Sequence, residues 1–221
     1  MELKFITKTV VYECLGARMD GGMSWRGPDG SGSQLASPQS VQEVFGDDPR
    51  RLQRFQSYLK ANYSGLFLVR GGQWVSYGWY SHPFSAGPPH LARWSGRLGA
   101  CWIFGCHTHT SFRQRGFYKE LLCRLATLIW QRERAAEIYI GTRVDNVASR
   151  RAIVATGFEP CGVTTTYRGW APLVGSYVLT GKWRRGELHP EIGGETLAVP
   201  AATMSGGAAI SGEASLNDSA G

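Results

Sequence analysis

Hydrophobic positions along the chain group into runs with two different habits. "FITKTVVYE" within residues 3–15 is rich in β-branched and aromatic residues and predicts a strand. "LFLVRGGQWVSYGWYS" predicts two strands joined at Gly71-Gly72, a hairpin signal. "ACWIFGCHT", "AEIYIGTRV", "CGVTTTYRGW" and "GSYVLTGKWR" add four more strands. The habit changes at "SFRQRGFYKELLCRLATLIWQ". There Leu121, Leu122, Leu125, Leu128 and Ile129 recur at helical spacing, which predicts a helix running to about Arg134. Two further pieces, "VQEVFG" and "DPRRLQRFQSYLKANY", read as helical, with Asp48 as cap and Pro49 at the first position of the second. "DNVASRRAIVATG" predicts a short helix capped by Asp145 or Asn146 and stopped by Gly157.

Residues 16–40 and the stretch "HPFSAGPPHLARWSGRLG" are rich in Gly, Ser and Pro and read as loops. The predicted order is β, α(α), β, β, β, α, β, α, β, β, which points to an α+β fold with helices on both faces of a sheet. One domain over residues 1–185 is expected. Residues 186–221, rich in Gly, Ala and Ser and lacking aromatic residues, are expected to be a disordered tail.

Charge changes this picture. All 24 Lys and Arg residues precede residue 187, against only 12 of the 17 acids. A body this basic calls for an anionic partner. The cations are dispersed and no RNP, KH or helix-turn-helix pattern occurs, so nucleic acid is not the expected partner. No apolar run approaches the ~20 residues of a membrane span, and the N-terminus lacks a signal-peptide pattern, so a cytoplasmic protein is expected. The five cysteines show no CxxC pair. They read as small buried hydrophobes, with no structural metal site.

Arg113, Arg115 and Lys119 stand at the head of the long helix, where the dipole favours anions over cations. A strand, a tight loop and a helix N-terminus together make an anion site, and Gly116 lets the backbone amides approach a ligand closely. The cations then serve a bound diphosphate rather than the helix.

"RQRGFY" resembles the R/Q-x-x-G-x-G/A acetyl-CoA loop of the GNAT acyltransferase superfamily, with Arg113 and Gly116 matching. "NVASRRAIVATGF" is similar to a second signature of that family through Asn146, Ser149, Ile153, Gly157 and Phe158. The resemblance covers roughly residues 60–182 and is most specific over residues 101–162. It implies a central, mostly antiparallel sheet of six to seven strands with a splayed parallel pair, and direct acetyl transfer from acetyl-CoA to a primary amine. It implies loop amides of Gln114, Arg115, Gly116, Phe117 and Tyr118 on the pyrophosphate, with Arg113 beside them. It also implies strand-end contacts from Thr108, His109 and Thr110, and Asn146 on the pantetheine arm.

Two positions depart from the pattern. Tyr118 stands where the family prefers Gly or Ala; its ring would either narrow the loop or turn away and pack. Ile153 stands where many members carry the tyrosine that protonates the leaving thiolate. Ser149, one helical turn beyond Asn146, is the nearest replacement. No Asp or Glu occurs between Asp48 and Glu120, so His107 and His109 are the available bases, with His82 and His90 weaker candidates. The aromatic residues Trp74, Tyr77, Trp79, Tyr80, Trp94, Tyr167 and Trp170 suggest a stacking surface for the acceptor or a core. A catalytically silent acetyl-CoA-binding or regulatory module is the alternative reading, and the closing strands leave a homodimer open.

Overall fold

The computed structural model describes residues 2–15, 32–85, 99–135, 137–171, 175–180 and 184–185. Over 2–7, 15, 166–171, 175–180 and 184–185 it describes the backbone alone. His90, Trp94 and the 186–221 tail lie outside the described residues, as do the side chains of Tyr167 and Trp170.

The elements in chain order are β1 (Glu2–Leu15), β2 (Gly32–Leu35), α1 (Pro38–Phe45), α2 (Pro49–Lys60), β3 (Ser64–Arg70), β4 (Gln73–Ser81), β5 (Cys101–Thr108), α3 (Phe117–Glu133), β6 (Glu137–Arg143), α4 (Val147–Val154), β7 (Glu159–Ala171), β8 (Gly175–Thr180) and β9 (Arg184–Arg185). They form one mixed sheet in the order β2-β3-β4-β5-β6-β1-β7-β8, with β9 beside β7. Its nine strands exceed the expected six to seven through the short β2 and β9. β2 corrects the reading of 16–40 as all loop: Gly32–Leu35 pairs with Leu66–Val69 despite its turn-like composition. α1 starts at Pro38, earlier than the hydrophobic pattern indicates, because Ser37 and Ser40 cap it reciprocally. Asp48 caps α2 through the Arg51 amide, with Pro49 at the first position. Gly71 and Gly72 both take positive φ, 56° and 76°, as the β3–β4 hairpin requires.

Helices cover both faces. On one face α3 and α4 close over Tyr12, Leu68, Ile103, Ile138 and Phe158. On the other, α1 and α2 close over an aromatic core that includes Phe45, Phe55, Phe67 and Trp79. Phe45 and Phe55 meet edge to face at 4.8 Å, a geometry that adds roughly 0.5–1.5 kcal/mol to the area buried. Cys14, Cys101, Cys123 and Cys161 are buried, as expected of small hydrophobes.

Two features of β5 shape what lies beyond it. Its parallel pairing with β6 spans only Cys101–Ile103, so Phe104–Thr108 run on with no β6 partner and the two strands splay. Its pairing with β4 carries a bulge, since Trp79 faces Phe104 while Tyr77 faces His107. Gly105 supplies the bulge with a φ of 62°. The extra residue flips the alternation. Cys106 joins the α3 face, and His107 joins the aromatic face with Tyr77 and Trp74.

Candidate active site

A groove of about 910 Å³ opens where β5 leaves β6, between the first turns of α3 and α4. That volume suits a small-molecule site.

The loop Arg113–Gly116 forms one wall. A 3-10 turn at Thr110–Phe112 carries the chain out of β5. Gln114 takes a φ of 60°, uncommon outside glycine, and Gly116 a φ of 85°. Gly116 is the N-cap of α3 and offers no side chain to its amides. The first-turn N–H groups therefore lack side-chain caps at the positive end of a 17-residue helix. Arg113 and Arg115 belong to this loop, ahead of the helix, and Lys119 is the cation inside its first turn. The Arg113 Nε donates to the Thr108 carbonyl at 3.4 Å. The Arg115 guanidinium lies 5.8 Å from the Phe112 ring. Among the described residues neither arginine makes an ion pair with a carboxylate.

α4 forms the facing wall. Asn146 is its N-cap, and the Ser149 amide donates to the Asn146 Oδ1 at 3.2 Å. That bond commits the carbonyl end of Asn146 to the helix and leaves its amide NH2 as the end that a ligand can use. Ala148 and Ala152 keep this wall small. The Tyr118 ring packs against the α3-side core while the residue still lines the groove. Its hydroxyl lies 3.0 Å from the Ser149 Oγ. Burial raises the pKa of this phenol well above its ordinary value, with Cys106 nearby adding to the effect. Ile153 is fully buried in the core. Burial also pushes the Cys106 thiol up to about 12, so it is no thiolate nucleophile at neutral pH.

The candidate residues divide. Thr108, Arg113, Gln114, Arg115, Gly116, Phe117, Tyr118, Asn146, Ser149 and His107 line the groove. His109 and Thr110 do not, because the 3-10 turn leads them aside. The His109 ring stands edge-on to Trp74 at 4.7 Å, and its Nδ1 accepts from the Ser111 amide at 3.3 Å. His107 lies against Tyr77, with ring centres 5.6 Å apart. Burial lowers its pKa below the ordinary value of 6.5, and the nearby charges of Arg51, Arg113 and His109 act in the same direction. His107 is thus a neutral imidazole at pH 7, able to accept a proton. His82 is remote from the groove, bonded to Ser64 and Glu133.

Sequence reasoning missed two residues and one contact. Arg51 reaches in from α2, 5.0 Å from the Trp74 ring centre, and donates from Nε to the Tyr77 hydroxyl at 3.4 Å. Cys106 joins the lining through the bulge at Gly105, a glycine inside a strand that did carry a bulge signal. The Tyr118–Ser149 contact bridges two helices and left no local signal. Among the described residues no group of three His, Cys, Asp or Glu side chains is placed to hold a metal. No helix among them is long and apolar enough to cross a membrane.

No family model and no curated protein matches the sequence. Solved structures do match the fold. A GCN5-related N-acetyltransferase-like protein from Streptococcus suis superposes with a TM-score of 0.51 at 13% identity, over 81% of this chain and 62% of the other. A GNAT-family acetyltransferase from Colwellia psychrerythraea gives 0.50 at 13% identity, over 75% and 57%. A functionally unknown protein from Staphylococcus epidermidis gives 0.51 at 14% identity, over 73% and 60%. The matched region thus spans about three fifths of each of these longer chains. The splayed β5–β6 pair, the order of elements and these superpositions agree: the chain has the fold of the GNAT superfamily.

Proposed function

We propose that the chain is an N-acetyltransferase that moves an acetyl group directly from acetyl-CoA to a primary amine. The groove carries this reading. It joins helix amides without side-chain caps, two arginines with no carboxylate partner among the described residues and a strand edge freed by the splay, all on one continuous surface. A diphosphate meets the amides of Gln114–Tyr118 and the guanidinium groups of Arg113 and Arg115. An extended amide-bearing arm follows the β5 edge, with the Asn146 NH2 opposite. His107 lines the groove and takes the proton from the attacking amine. The N–C bond forms as the C–S bond breaks, and sulfur leaves with the bonding pair. A thiol with a pKa of about 8.5 leaves readily as thiolate. The acceptor lies on the aromatic side of β5, beside Trp74, Tyr77 and Arg51.

The test is release of free thiol from acetyl-CoA across a panel of primary amines. Amine-dependent release supports transfer. Tight acetyl-CoA binding with no release from any amine favours the silent binding module instead.

A further inference from the structure

We propose that Tyr118 is a positioning residue that aims the Ser149 hydroxyl at the donor's sulfur; this rests on the acetyl-CoA reading of the groove. Tyr118 occupies the second position of α3 and Ser149 the third of α4, and both line the groove. A buried phenol needs a hydrogen-bond partner, and the Ser149 Oγ meets this one at 3.0 Å.

Two hydroxyls in contact share one hydrogen and leave the other to point elsewhere. The phenol is the more acidic of the two and so the better donor. With Tyr118 donating to Ser149, the serine hydrogen is the one left over. A serine in a helix otherwise tends to bond back to a carbonyl of the preceding turn. The tyrosine supplies a competing contact that holds the Oγ toward α3 and the groove.

Tyr118 does not surrender its own proton. Burial raises its pKa, so passing the proton to a thiolate would be steeply uphill. It therefore remains protonated while Ser149 Oγ–H donates to the departing sulfur. The sulfur leaves with the C–S pair as a hydrogen-bonded thiolate, and the amine proton goes to His107 as above. The two departures from the family pattern then compensate one another. α4 has lost its hydroxyl at Ile153, which is sealed in the core. α3 brings one in at Tyr118, where a small residue was expected.

The experiment compares CoA with desulfo-CoA by calorimetry, in the wild type and in Tyr118→Phe, Ser149→Ala and the double variant. Tyr118→Phe keeps the ring and its packing. Wild type should prefer CoA over desulfo-CoA by about tenfold, the worth of one net hydrogen bond. Each single variant should lose most of that preference, and the double variant should lose no more than either. In turnover, Tyr118→Phe should lower kcat several-fold with KM for acetyl-CoA nearly unchanged. Wild-type preference retained in Tyr118→Phe, or independent additive losses, overturns the proposal while leaving the groove assignment intact. Absence of CoA binding by the folded wild type overturns both.

Discussion

The two ends of α3 carry charges that oppose its dipole, and the protein treats them differently. At the C-terminal end, Glu133 is an acid where cations are favoured. It is answered from within: the Tyr80 hydroxyl donates to it at 3.0 Å and His82 Nδ1 lies 2.9 Å away. His82 is held in turn by Ser64 at 3.0 Å. That end is a bolt fastening α3 to β3 and β4. At the N-terminal end, Arg113 and Arg115 are cations where anions are favoured. Among the described residues they meet a carbonyl and an aromatic ring and no carboxylate, beside a cap that offers its amides no side chain. One helix thus has an end tied into the sheet and an end that, in the proposed function, meets a ligand.

The contrast can be broken from either side. The largest effect is expected for Gly116→Asp. Aspartate is among the few side chains that enter the left-handed region, so the fold should hold within about 1–2 kcal/mol. Its carboxylate would set a negative charge beside the amides meant for phosphate, and acetyl-CoA affinity should fall by about a hundredfold or more, close to 3 kcal/mol. Calorimetry beside thermal denaturation measures both. Glu133→Ala should do the reverse. Loss of two charge-assisted contacts costs about 2–3 kcal/mol of stability in denaturant titration, with donor affinity unchanged. Equal effects of the two variants on binding would erase the distinction between the ends.

The smallest effect concerns pH. The folded pKa of His107 is depressed, so between that value and the unfolded value near 6.5 the unfolded chain binds more protons. Stability contributed by this group is present above pH 6.5 and is lost as pH falls through that window. The acid limb of kcat/KM should accordingly lie below 6.5 and disappear in His107→Gln, as a pH–rate profile will show.

Much of this was legible because the signals were local. Gly71-Gly72, Asp48-Pro49, the apolar stripe of α3, the loop glycine at Gly116 and the cap at Asn146 are decided within a few residues. The groove lining was legible where it followed the loop and the α4 signature. What was not legible depends on tertiary contact. β2 exists because β3 offers an edge. The place of His107 depends on a bulge that reverses the alternation, and the 3-10 turn that follows β5 carries His109 and Thr110 away from the groove. Tyr118 and Ser149 are 31 positions apart and meet only when α3 packs on α4.

The account rests on a diphosphate binding at the α3 N-terminus, and titration of the wild type with acetyl-CoA at low and high salt tests it most directly. Micromolar affinity that weakens as salt rises is the predicted result. No detectable heat from the folded protein at either salt concentration would contradict it.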